Sequence, residues 1–377
     1  MKNNTKPAQR DLRIEIARII GCLIVVIIHV RLNDIIDDQH DLSRMFISCL
    51  TSDGVAVFWL ILGCFLFNEK NKYLSLIKRT FFRIVMPALI LSAVLFVWDG
   101  FIKGSSTFTE CISAVQWTDV KTALLVFLEF DNPVKAYGHF WYIYVYFLLI
   151  LCFPAIKSFV RYLDGSFKRT GIFMTASLIF LIINDISLNR FAGFSFHAFN
   201  GALPAAIQVI WGHVIWKYRE VIAAFFGRIK AWRFILFPVI FLGLNFLRLE
   251  IQMERYNLEM NNELMYWFSS IGLLCAVSIV VWCMCLPQGQ HGFFSVSLMY
   301  IAKQTFYIYL FHIPVKFVLN RFGIIEKATS SINIQHWWGE VEYTVLAALI
   351  VFIASLVISM IISESVSAVK RLFRKKV

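Results

Sequence analysis

The chain passes repeatedly through apolar stretches long enough to cross a lipid bilayer. They run over residues 12–32, 52–68, 84–102, 137–155, 170–189, 201–217, 232–247, 264–286, 298–320 and 341–364, with short polar segments between them. About 20 mostly apolar residues span the ~30 Å hydrocarbon layer as a helix. Each span must be helical, because lipid offers no partner to an unpaired backbone amide. The expected fold class is therefore all-α: a polytopic membrane protein of about ten transmembrane helices in a single domain, residues 1–377. Composition agrees, with 16% charged residues against roughly 25% in an ordinary soluble domain. The stretch 117–130, broken by Asp119 and Lys121, reads as an interfacial helix. The longest loop, roughly 103–136, is too small to bury a core of its own. The first apolar run has span length and no small-residue cleavage site, so no cleavable signal peptide is expected.

A net charge of +12 raises the question of nucleic acid, and the distribution of the charge answers it. Segments on one side of the apolar runs hold 23 Lys and Arg, and the alternate segments hold 10. The positive-inside rule assigns the richer set to the cytoplasm. The expectation is a multi-pass protein of the cell (inner or plasma) membrane with both termini cytoplasmic. Its basic residues then contact anionic membrane lipids, with no nucleic-acid partner. The segment 287–297 carries no Lys or Arg, so only parity places it.

Eight Cys give no disulfide framework. Cys22, Cys64, Cys152, Cys275, Cys283 and Cys285 lie in apolar stretches, where a thiol behaves as a small buried hydrophobe. Cys49 and Cys111 fall in expected external segments. Cys283-Met-Cys285 has no second pair at metal-site spacing, so no metal is expected.

Ionisable residues inside spans are costly and mark candidate sites. Arg18 and His29 share a face of the first span, with His29 about 16 Å further across the bilayer. Arg79 and Arg83 lie one turn apart just before Pro87, at the cytoplasmic surface, where anchoring and a phosphate clamp are both open readings. Thr305, Tyr309 and His312 form one stripe of the ninth span, and Lys303 points away from it. His139, Trp141 and Tyr142 stand at the outer end of the fourth span, where an aromatic belt is ordinary. Asp185, His197 and His213 receive no role. Arginines able to hold phosphates thus gather inside, and histidines able to take a proton from a hydroxyl gather outside. That polarity suits an activated donor held from the cytoplasm and an acceptor arriving from the other side.

The Arg-x10-His pattern from Arg18 to His29 resembles the first-span signature of the type-3 membrane acyltransferase family. Further resemblance lies in Gly54-Val-Ala-Val-Phe-Trp-Leu-Ile-Leu-Gly63-Cys-Phe65, in Lys78-Arg79 through Arg83-Ile-Val-Met-Pro87, in His139-Phe-Trp141-Tyr, and in Tyr309-Leu-Phe-His312-Ile-Pro314. These matches occur in family order from residue 13 to 314. Ala56 departs from the proline usual in the family, and Leu62 from the serine usual before Gly63. The resemblance implies a ten-span core and an O-acyltransferase. Its donor would be acetyl-CoA or another acyl-CoA, and its acceptor a polysaccharide, glycan or glycolipid outside the cytoplasm. It also implies the functional residues Arg18, His29, Arg79, Arg83, Trp141 and His312. The appended hydrolase-like domain that some members carry is not expected here.

In the resulting scheme His29, with Arg18 and His312, does the chemistry. Arg79, Arg83, Trp141 and His139 bind substrate or CoA. Direct transfer with His29 as general base is the simpler route, and a covalent acyl-histidine is the other. A transporter or flippase of polysaccharide precursors is the alternative class, but it usually shows repeats or broken helices. A catalytically silent relative is a third.

Overall fold

The computed structural model describes residues 11–31, 42–68, 71–104, 106–114, 121–122, 135–190, 201–257, 269–287, 292–334 and 336–374. Among the described residues the regular structure is helical throughout, without a strand. The helices are α1 (Leu12–Arg31), α2 (Leu42–Thr51), α3 (Gly54–Leu66), α4 (Tyr73–Thr80), α5 (Met86–Lys103), α6 (Phe108–Ala114), α7 (Trp141–Leu151) and α8 (Phe153–Asp164). They continue with α9 (Phe167–Arg190), α10 (Ala202–Lys217), α11 (Arg219–Gly227), α12 (Arg233–Asn257), α13 (Ser269–Met284), α14 (Phe293–Arg321), α15 (Ile324–Thr329) and α16 (Trp337–Arg374). The expected interfacial helix at 117–130 falls almost entirely outside the described residues, as does His197.

Each expected span contains a helix, but the boundaries and bends differ. Among the described residues, five helical segments are long and apolar enough to cross a membrane alone: Met45–Leu66, Tyr73–Lys103, Phe167–Asp185, Lys230–Ile251 and Trp337–Ser365. A sixth appears if the pair Gly138–Leu151 and Phe153–Asp164, bent by 69°, counts as one broken span. Among the described residues, length and composition thus support five or six crossings, which does not confirm the ten read from the sequence. α1 and α14 are outside this set, since both carry the polar and charged residues singled out above. α10 and α13 have 16 residues each and reach only about 24 Å; both are largely buried within the bundle.

Two prolines shape the segments. Pro87 cannot donate to the Arg83 carbonyl four residues back. The chain absorbs this as one π turn, Phe81–Val85, joining α4 to α5, with the Met86 amide donating to the Phe81 carbonyl. Pro154 sits in the first turn of α8, where a missing N–H costs nothing. The fourth expected span therefore breaks at Cys152 into α7 and α8. Cys152 is exposed at that break, contrary to the buried role expected of it; the other seven thiols, Cys49 and Cys111 included, are buried and free.

Association of helices in lipid depends on close packing and polar contacts rather than on hydrophobic burial. α3 and α10 pack so tightly that a Cβ at Gly63 would strike the Val209 carbonyl, and one at Gly212 the Leu60 carbonyl. α1 runs at the centre against α3, α13, α14 and α16, with Ala17, Cys22 and Val26 fully buried. Large apolar side chains on the other faces, such as Phe82, Ile90, Ile183, Val239, Ile353 and Ile361, are exposed. An exposed apolar surface of that extent suits lipid rather than water.

Two polar locks hold the bundle. The first is at the α2–α3 break, where Arg248 of α12 is fully buried and pairs with Asp53 at 2.8 Å. It also donates to the Cys49 carbonyl at 2.6 Å, to Asn245 Oδ1 at 3.2 Å and to Ser52 Oγ. Arg248 thereby supplies donors to the end of α2, whose last carbonyls lack helical partners. The second lock is Asp185 of α9. Its carboxylate accepts from the amides and hydroxyls of Ser269 and Ser270 at 2.5–3.1 Å and so caps the N-terminus of α13. This gives Asp185 the structural role that the sequence left open.

Candidate active site

Where α1 and α14 meet the 3-10 turn Lys135–Phe140 that precedes α7, three imidazoles gather. The His29 and His312 rings are 4.9 Å apart, those of His139 and His312 4.9 Å, and those of His29 and His139 6.0 Å, all edge to face. The sequence placed His139 with substrate binding, whereas here it completes a cluster with the two others. His139 and His312 are buried, and His29 is partly exposed. The expected stripe of α14 holds: Thr305, Tyr309 and His312 are all buried, and Lys303 is exposed.

Hydrogen bonding fixes how each ring presents its nitrogens. A carbonyl only accepts, so the nitrogen facing it must carry the proton. His29 Nδ1 faces the Val25 carbonyl at 2.7 Å, and His312 Nδ1 faces the Tyr309 carbonyl at 2.7 Å. The Nε2 of each neutral ring therefore bears the lone pair. His139 is reversed, with Nε2 donating to the Leu310 carbonyl at 3.4 Å, which leaves the lone pair on Nδ1. His312 Nε2 and His139 Nδ1 are buried with no hydrogen-bond partner among the described residues. The cluster thus offers proton-accepting nitrogens, and His29 is the member nearest accessible space. Among the described residues no group of three or more His, Cys, Asp or Glu is arranged to hold a metal ion.

From the histidines a line of tyrosines leads toward the arginines. Tyr309 lies 5.5 Å from the His139 ring and donates its hydroxyl to the His139 carbonyl. Tyr142 follows 5.4 Å from Tyr309, and Tyr146 6.1 Å from Tyr142. Trp59 covers the line, 4.2 Å from Tyr142. Tyr146 is within electrostatic reach of both Arg79 and Arg18.

The remaining candidates are placed as follows. Arg18 is partly buried and pairs with Glu15 at 2.6 Å. Arg79 is exposed at the end of α4 and donates to Asn71 Oδ1 at 3.4 Å. Arg83 is exposed on the π turn. Trp141 is partly buried at the start of α7, against the cluster that holds Trp59 and Val209. His213 lies apart from the histidine cluster, on α10, where its Nε2 and the Lys217 ammonium both meet the Asp164 carboxylate.

Four residues take roles that the sequence did not single out: Tyr142 and Tyr146 as links, Glu15 as the partner of Arg18, and Lys316 beside His29. Signals existed for each. Tyr142 and Tyr146 are four residues apart, Glu15 precedes Arg18 by three, and Lys316 follows His312 by four, all of them same-face helical spacings.

A family model described as "Acyltransferase domain" matches residues 11–364. No curated protein and no solved structure matches the chain.

Proposed function

Since the chain belongs to the acyltransferase-domain family and is a membrane acyltransferase, we propose that it moves a short acyl group from acyl-CoA to a hydroxyl of an extracytoplasmic glycan. Acetyl is the simplest such group, and a polysaccharide or glycolipid is the acceptor the reading favours. The supporting observation is the cluster of His29, His139 and His312, continued by the line of Tyr309, Tyr142 and Tyr146, on whose last member Arg18 and Arg79 act electrostatically. A base at one end and cations at the other fit a donor whose phosphates stay on the cytoplasmic side while its thioester reaches the histidines.

In this reading His29 Nε2 removes the proton of the acceptor hydroxyl as the oxygen attacks the thioester carbonyl carbon. The C–O bond forms, the C–S bond breaks, and the proton passes from His29 to the departing CoA sulfur. His312 and His139 back the His29 ring from the buried side. Arg18, Arg79 and Arg83 hold CoA phosphates by charge-assisted hydrogen bonds, and Trp141 borders the acceptor. In this reading both termini lie on the cytoplasmic side, which the distribution of basic residues supports.

The test is incubation of purified protein with acetyl-CoA labelled in the acetyl group and a pool of bacterial surface oligosaccharides. Alkali-labile label on the carbohydrate is the expected result. Intact donor and unlabelled carbohydrate, across acetyl-, propionyl- and succinyl-CoA, would refute the reading.

A further inference from the structure

α14 grips α1 at two levels. His312 sets its ring against the His29 ring. One turn later Lys316 donates its ammonium to the backbone carbonyls of His29 at 2.8 Å and Val30 at 2.9 Å. Both carbonyls belong to the C-terminal part of α1 as described, Leu12–Arg31, and an ammonium hydrogen-bonded to two of its carbonyls fixes that stretch of backbone. A lysine among apolar neighbours ordinarily stretches toward water; this one turns onto the helix that carries His29. The His29 ring is tied in turn to the Val25 carbonyl one turn back. Ring and backbone are therefore both fixed, and the backbone is fixed from α14.

We propose that Lys316 is the positioning residue for His29. Its two hydrogen bonds lock the C-terminal part of α1 against α14, so that His29 Nε2 keeps its place opposite His312 and beside the accessible space. Lys316 does not touch the reacting atoms; it acts through His29. The kinetic consequence rests on the acyl-transfer reading, while the placement of the ring does not.

The experiment uses the full chain in proteoliposomes as wild type, Lys316→Met and Lys316→Arg. Carbethoxylation of His29 by diethyl pyrocarbonate, followed by peptide mass spectrometry, reports the ring without any acyl transfer. Lys316→Met should free the C-terminal part of α1 and raise the His29 modification rate severalfold. Lys316→Arg, which still reaches both carbonyls, should keep the wild-type rate. In the transfer assay Lys316→Met should lower kcat by up to about 10², the scale of a misplaced catalytic group. The KM for acyl-CoA should be unchanged, and Lys316→Arg should recover most of the turnover.

A wild-type modification rate in Lys316→Met overturns the proposal, as does a wild-type kcat. Equal loss in both variants, with a matching loss of folded protein, also overturns it, because Lys316 is then structural only. Should Lys316→Met not fold, Lys316→Gln, which keeps one donor, is judged by the same criteria. If His29 reactivity responds as expected while the wild type transfers no acyl group, the clamp stands and the acyl-transfer reading falls.

Discussion

His29, His139 and His312 share a cluster yet present different atoms to it. Backbone carbonyls on α1 and α14 hold two rings by Nδ1 and the third by Nε2, so each keeps a lone pair for proton transfer. Only His29 is both in the cluster and partly exposed. Replacing His312 by Ala should therefore weaken catalysis through His29, lowering turnover at least tenfold with little change in acyl-CoA affinity; this is measured as kcat against KM. A fall in affinity with kcat intact would move His312 to the donor site. Tyr309→Phe removes the hydroxyl that holds the His139 carbonyl. It should cost about 0.5–1.5 kcal/mol of stability, read as a lowered Tm in detergent. At this scale much was legible: Arg18, His29 and His312 stood out as ionisable residues in apolar helices. That His139 lies on the same outer side as the other two was legible; its ring contact with them was not, because 110 positions separate it from His29 and only packing joins them.

Helices explain why these residues meet. α1 and α14 carry polar residues that cost free energy in lipid, and both run in the interior of the bundle. The existence of the helices was legible because lipid imposes it. Their ends and bends were not. The π turn before Pro87 and the break at Cys152 depend on how the chain reassigns a missing amide. The Asp53–Arg248 lock was also invisible, since its partners lie 195 positions apart and Arg248 follows the apolar run that ends at residue 247. Arg248→Met alone would leave Asp53 buried without its cation. A broken buried pair costs roughly 3–5 kcal/mol, so the yield of monodisperse protein on size exclusion should fall sharply. The double change Asp53→Asn with Arg248→Met should recover part of it. Gly63→Val should fail outright, because its side chain would occupy the space of the Val209 carbonyl. A normal yield of Gly63→Val would show that α3 and α10 separate more readily than their packing indicates.

At the scale of the whole molecule, a line of tyrosines leads from the histidine cluster to Tyr146, on which Arg18 and Arg79 act electrostatically. At this scale the sequence conveyed polarity through 23 basic residues on one set of segments and 10 on the other. The tyrosine link was not legible, because Tyr142 and Tyr146 read equally well as an interfacial aromatic belt. Arg79→Gln with Arg83→Gln should weaken acyl-CoA binding at least about tenfold while the protein stays in the membrane. Unchanged affinity would return both residues to simple anchoring. The most direct test of the whole arrangement is vectorial transfer in proteoliposomes of uniform orientation. Labelled acyl-CoA is supplied only on the side of the basic segments, and acceptor glycan only on the other. Wild-type protein should deliver label across the bilayer, and His29→Gln should lose about 10²–10⁴ in rate. Near-normal delivery by His29→Gln, or transfer only when donor and acceptor share a side, would contradict the assignment of His29 as base between a cytoplasmic donor and an external acceptor.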